Sequence, residues 1–131
     1  MQITRQTEYA IRTILELAKA PKGELVPTKI ISQHQDIPEL FLKKTIQLLA
    51  NAGLIITQRG MQGGVRLAVP ASEITVADII SAVEGSPAIN VCLSGAYECP
   101  NKPFCRVHNI LERAQAAMLA ELSRESIADL I

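Results

Sequence analysis

Residues 54–69, LIITQRGMQGGVRLAV, constrain the fold more than any other stretch of the chain. Leu54–Gln58 and Val65–Val69 are short β-prone runs, and the RGMQGG between them carries three glycines, which predicts a hairpin with a slender tip. What precedes it reads as helix. Over residues 4–19, Ile11, Ile14, Leu15 and Ala18 recur at helical spacing until Pro21 and Gly23 stop the pattern. Thr28 is the expected N-cap of a short helix through His34, with Ile30 and Ile31 as its apolar contacts. Pro38 suits the first turn of a third helix because its missing N–H would be unpaired there anyway. That helix runs to about Asn51, with Leu42, Ile46 and Leu49 inward and Gly53 as its break. Helix, helix, turn, helix and then a glycine-rich hairpin is the order of a winged helix-turn-helix. The expected class is mainly α with a small β-hairpin.

After the hairpin, Thr75 and Asp78 are spaced as a capping box for a fourth helix through about Val83, ended by Gly85 and Pro87. A last helix begins near Cys105 and runs to about Leu122. Leu111, Ala114, Met118 and Leu122 form its apolar stripe, with Val107, Ile110 and Ala117 alongside. A stripe this wide is buried either in the chain's own core or against a second copy. Ile127–Ile131 is apolar enough to pack somewhere. The length of 131 residues suits one compact domain, or one domain with a dimerisation arm. Aromatic residues are 3% of the chain and Trp is absent, so the core is expected to consist of Ile, Leu, Val and Ala. No apolar run approaches the roughly 20 residues of a membrane span. Arg5, Glu8 and Arg12 interrupt the N-terminal segment, which is not patterned as a signal or transit peptide, so a cytoplasmic setting is expected.

The formal net charge is zero, which argues against avid, sequence-blind binding to nucleic acid. The balance is uneven, however: residues 1–70 carry a net +4 and residues 71–131 a net −4. On the third helix, Pro38 leads Glu39, Leu40, Lys43 and Lys44, the residues expected to face the major groove. The lysines can meet phosphates or guanine edges, and Glu39 can accept from cytosine. The wing would present Arg59, Gln62 and Arg66 on a tip where Gly63 and Gly64 permit close approach to backbone or minor groove. The alternative is ordinary solvated charge on a small domain.

All three cysteines and one of the two histidines fall within CLSGAYECPNKPFCRVH, residues 92–108. The spacing, C-x6-C-x5-C-x2-H, gathers Cys92, Cys99, Cys105 and His108 on a turn-rich loop. An odd number of cysteines argues against a closed disulfide framework. Structural zinc sites favour tighter cysteine pairs, whereas wider gaps suit a loop wrapped around an iron–sulfur cluster. His108 is one helical turn from Cys105 and can point the same way. Glu8 and His34 are weaker candidates for a fourth ligand, reaching a cluster only from a partner subunit.

TEYAIRTILELA at residues 7–18, RGMQGGVRLAVPASEITVADIISAVEG at 59–85 and the three cysteines before a long helix together resemble the iron–sulfur winged-helix regulators that include IscR and NsrR. The resemblance covers nearly the whole chain, with the chain's end slightly closer to NsrR-like members. It implies a homodimer with one cluster per subunit, held by Cys92, Cys99 and Cys105. His108 matches the fourth ligand of 2Fe–2S members, and Glu8 falls where 4Fe–4S members use a carboxylate from the second subunit. It also implies a division into a winged domain (1–85), a cluster loop (86–104) and a dimerisation helix with its C-terminal turn (105–131), with Ile110, Leu111, Ala114, Met118 and Leu122 at the seam.

The function these features suggest is a dimeric regulator, a repressor, that reads a palindromic double-stranded operator. Its affinity would be set by a cluster sensing nitric oxide, redox state or iron status. The sequence offers no Ser/His/Asp set, phosphate loop or paired acidic site, so neither an enzyme nor a small-molecule substrate is expected. The alternative is a zinc-binding or cluster-carrying protein-interaction module without specific DNA readout.

Overall fold

The computed structural model describes residues 2–95 and 97–131. Among them are five α-helices and one two-stranded antiparallel hairpin, as the sequence leads one to expect. Helix α1 (Arg5–Lys19) is capped by the Thr4 side chain, which accepts from the Thr7 amide. It packs against α3 (Glu39–Asn51) and α4 (Val76–Glu84), while α2 (Thr28–Gln35) leans on α1 and α3. Strands β1 (Ile55–Gln58) and β2 (Gly64–Leu67) pair Ile55 with Leu67 and Thr57 with Val65. Helix α5 (Arg106–Leu122), about 25 Å long at 1.5 Å per residue, follows the cysteine loop. None of the described helices is long and apolar enough to cross a membrane.

The core joins Ile14 and Leu17 of α1 to Ile31, Leu42, Leu49, Ile55, Val65 and Ile79. Several expectations shift in register, among them Pro38, which is the N-cap of α3 rather than part of its first turn. The deepest face of α1 is Ala10, Ile14 and Leu17 with Thr7 and Thr13, while Ile11, Leu15 and Ala18 are only half-buried. The buried hydroxyls are tolerated because they find partners: Thr7 Oγ1 lies 3.3 Å from Thr4 Oγ1, Thr13 Oγ1 donates to the Tyr9 carbonyl at 2.8 Å, and Thr45 Oγ1 of α3 does the same to Phe41. Thr28 is the first helical residue of α2 rather than its cap; Pro27 holds that position and no side chain caps the helix.

Other boundaries follow local chemistry closely. The Thr75 amide donates to Asp78 Oδ2 at 2.9 Å and the Asp78 amide returns to Thr75 Oγ1 at 3.2 Å, closing the capping box of α4. Gly85, at φ 77°, ends that helix. After α5 the chain comes back to the winged domain. Ile127 is wholly buried in its core, its amide donates to the Ile74 carbonyl at 2.8 Å, and Ser126 pairs with Thr75.

Candidate nucleic-acid interface and cysteine loop

The turn between α2 and α3 is fixed from both sides. Asp36 takes a left-handed conformation (φ 51°), Ile37 is buried beyond it, and Ser32 Oγ donates to the Ile37 carbonyl at 2.6 Å. This sets α3 with Leu42, Thr45, Ile46 and Leu49 inward and Leu40, Lys43, Lys44 and Gln47 in solvent. Beside it, Glu39, Lys43 and Gln47 share an open groove with Thr57 and Arg59 of the hairpin. Gln47 is not among the residues expected at the groove, although it lies one turn beyond Lys43 and is able to address adenine.

At the hairpin tip, Gly60 (φ 114°) accepts from the Gly63 amide at 3.0 Å, so Met61 and Gln62 occupy the two exposed corners of a turn. The neighbouring glycines answer to the chain itself. A Cβ on Gly63 would lie 2.2 Å from the Gln58 carbonyl oxygen, and one on Gly64 would lie 2.6 Å from that of Val26. Val26 pairs with Val65 through bonds of 2.8 and 2.9 Å, giving β2 a partner on each edge. Intramolecular packing therefore accounts for Gly63 and Gly64 without an approaching DNA backbone. Arg66 points elsewhere too. Val65 faces the core, so Arg66 takes the opposite face, where it is half-buried and lines a separate cleft with Leu17, Pro21, Lys22 and Glu24.

The candidate fourth ligands on α1 and α2 already have partners within the chain. Glu8 is ion-paired with Arg12 and, at 3.4 Å, with Arg5; Arg12 also donates to the Gln35 carbonyl at the end of α2 at 3.1 Å. His34 Nδ1 meets Glu16 Oε1 at 2.6 Å, and Gln35 Nε2 donates to Glu16 Oε2 at 2.7 Å. Burial opposes the Glu16 charge. The bonds from His34 and Gln35, with the charges of His34 and Lys19, outweigh it and hold the carboxyl below its ordinary range.

In the loop, all three thiols are free and half-buried. Asn90 Nδ2 donates to Cys92 Sγ at 3.3 Å, and Cys105 Sγ caps α5 by accepting from the His108 amide at 3.4 Å. His108 is 8% exposed; its Nε2 lies 3.6 Å from Glu112 Oε2, while its buried Nδ1 has no hydrogen-bond partner. Such an orphaned nitrogen, on the residue whose amide bonds the Cys105 thiol, is chemically suited to a metal centre. The geometry of a single chain does not yet gather the set: among the described residues no three His, Cys, Asp or Glu side chains stand close enough to share an ion. The Ile89 amide ties the loop's start to Gln115 Oε1 of α5 at 3.0 Å. On α5 itself Val107, Ile110, Ala114 and Ala117 are exposed, and Leu111, Met118 and Leu122 are only half-buried. His108 is the one side chain of α5 that the chain itself buries.

Residues 3–131 match the model of the Rrf2 family, described as an iron-dependent transcriptional regulator. The protein aau3 of Rhizobium meliloti (strain 1021) is 38% identical over 133 residues, spanning 100% of this chain and 85% of that protein. Among solved structures, CymR of B. subtilis, a global cysteine regulator, is 29% identical with a TM-score of 0.78, covering 99% of this chain and 95% of that one. The oxidised form of Staphylococcus aureus CymR is likewise 29% identical, with a TM-score of 0.74 and the same coverage. T. potens IscR is 25% identical with a TM-score of 0.76, covering 99% of this chain and 85% of that one.

Proposed function

The chain belongs to the Rrf2 family of transcriptional regulators, not to an enzyme family, and from that premise we propose that it is a homodimeric cytoplasmic repressor whose hold on a palindromic operator is governed by an iron–sulfur cluster. The observation that carries the DNA-binding part is the groove in which Glu39, Lys43 and Gln47 of α3 meet Arg59 of the wing. A helix face with lysines beside a basic hairpin combines base readout with phosphate neutralisation. The three-part division at 1–85, 86–104 and 105–131 belongs to the same proposal, the terminal turn resting on the winged core. Dimerisation would cover the flank of α5 at Ile110, Leu111, Ala114, Met118 and Leu122, none of which its own chain fully buries.

Cys92, Cys99 and Cys105 would supply three thiolates, with His108 or Glu8 of the partner subunit as the fourth donor. The bound group would supply a link, labile to nitric oxide, oxidation or iron loss, between this loop and the partner's winged domain. The chain's own contacts can transmit such a link. Glu8 holds Arg12, and Arg12 grips the Gln35 carbonyl at the very end of α2, two residues before the buried Ile37. A change at Glu8 thus bears on the turn that orients α3, and a ligand acts only through its unequal affinity for the two arrangements.

A second reading is favoured by the donors, no three of which stand together among the described residues, and by the likeness to CymR: the cysteines respond as thiols, without iron. Anaerobic purification followed by absorption and native mass spectrometry decides between them. A coloured dimer with iron and sulfide supports the cluster; a colourless, metal-free dimer that still binds DNA supports the thiol reading. For DNA itself, Lys43→Ala with Arg59→Ala is expected to abolish retardation of an operator selected from random duplexes. Unchanged affinity in that double variant would overturn the assigned surface.

A further inference from the structure

Leu40 occupies the middle of the outward face of α3. Because Leu42, Thr45, Ile46 and Leu49 are buried, the opposite stripe runs through Leu40, Lys44, Gln47 and Asn51, spaced i, i+4, i+7 and i+11. Leu40 is the one apolar side chain of that stripe, it lies in the first helical turn, and it is 78% exposed. Its neighbour Phe41, also partly exposed, leans on the Tyr9 ring of α1 at a centroid distance of 6.2 Å. Leu40 has no such support. A lone exposed leucine is ordinary on most surfaces. This one stands in the first turn of the helix assigned to base edges, on a stripe whose other members are all polar.

A leucine there offers nothing to a phosphate and makes no hydrogen bond to a base. The major-groove edge of DNA presents donors and acceptors at every base, and one apolar group: the C5 methyl of thymine. Resting on the regulator reading above, we infer that Leu40 is a specificity residue that packs on a thymine methyl in each operator half-site. Gln47, two turns further along the same stripe, is then placed for a base deeper in the half-site, and Lys43 and Lys44 for guanine or phosphate.

The test uses the full-length dimer, purified anaerobically, and a duplex it selects from a random pool. Each thymine of the selected half-site is replaced in turn by deoxyuridine, which removes only the methyl group. Binding is followed by fluorescence anisotropy at fixed salt. Burial of one methyl corresponds to about a fourfold change in affinity. Wild-type protein is expected to lose about fourfold at one thymine position and about fifteenfold when both half-sites are changed. Leu40→Ala should bind the thymine operator more weakly, with unaltered melting temperature, and be indifferent to deoxyuridine at that position. Leu40→Met should restore the discrimination. A deoxyuridine penalty that persists undiminished in Leu40→Ala, or no methyl-sensitive position in wild type, overturns the inference while DNA binding stands. A wild-type dimer that selects no duplex overturns the regulator reading and this inference together.

Discussion

Gly64 and Val26 touch backbone to backbone: a Cβ at Gly64 would fall 2.6 Å from the Val26 carbonyl oxygen and 2.7 Å from its carbonyl carbon. Because both obstacles are main chain, no rotamer change relieves them. Gly64→Ala is therefore expected to push Val26 off Val65 and to loosen the root of the wing. The cost should resemble that of overpacking, about 1–3 kcal/mol, seen as a lowered denaturation midpoint. Operator affinity should fall with it. A variant with wild-type stability would show that the contact yields freely.

Arg59 and Arg66 both belong to the hairpin region, but they serve different sides. Arg59 faces the groove shared with α3, and Arg66 lies in the cleft beside the end of α1. Arg59→Ala should lower the slope of log affinity against log salt by about one, as expected for one lost phosphate contact. Arg66→Ala should leave that slope as it is. Equal changes in the two variants would place both side chains on DNA.

That distinction shows where the sequence could be read and where it could not. Strand alternation alone separates Arg66 from an inward Val65, so its face was available from the pattern. The order of helices, the Thr75–Asp78 box and the glycine stops were legible because each is a local rule obeyed locally. The register of α1 was not, since Thr7 and Thr13 are buried with their hydroxyl groups satisfied nearby, which no hydrophobic pattern reveals. The glycines of the wing were legible as close-approach positions, but the approaching partner is Val26, some 40 residues away, or the strand before the turn. For the cysteine loop the donor types could be read, but their arrangement could not, because a turn-rich segment has no period to fix its side chains.

Glu16 makes stability depend on acidity. Its carboxyl titrates below the ordinary value of 4.5 because the hydrogen bonds from His34 and Gln35 favour the charged form. The folded state thus binds a proton there less readily than the unfolded chain. The contribution is complete above about pH 4.5 and is lost as pH falls through the depressed folded value. With His34 mostly exposed, the effect should stay below about 1 kcal/mol. Denaturant melts should show Glu16→Gln less stable than wild type at pH 7, with the gap closing on acidification towards pH 3. A gap that widens in acid would reverse the assignment.

Cys105 has a structural task as well as a proposed chemical one, and the two can be separated. Its sulfur accepts the His108 amide at the start of α5, a cap position where a serine hydroxyl serves at least as well as a thiol. Cys105→Ser should therefore keep the melting temperature of the metal-free protein, whereas Cys105→Ala should cost about 1 kcal/mol through the lost cap. Both variants remove a soft thiolate. If the loop holds a cluster, both should bind little iron after anaerobic reconstitution, measured by visible absorption and native mass spectrometry. The serine variant is the decisive one: full stability with lost iron assigns Cys105 to ligation, while full stability with unchanged iron content removes it from the ligand set.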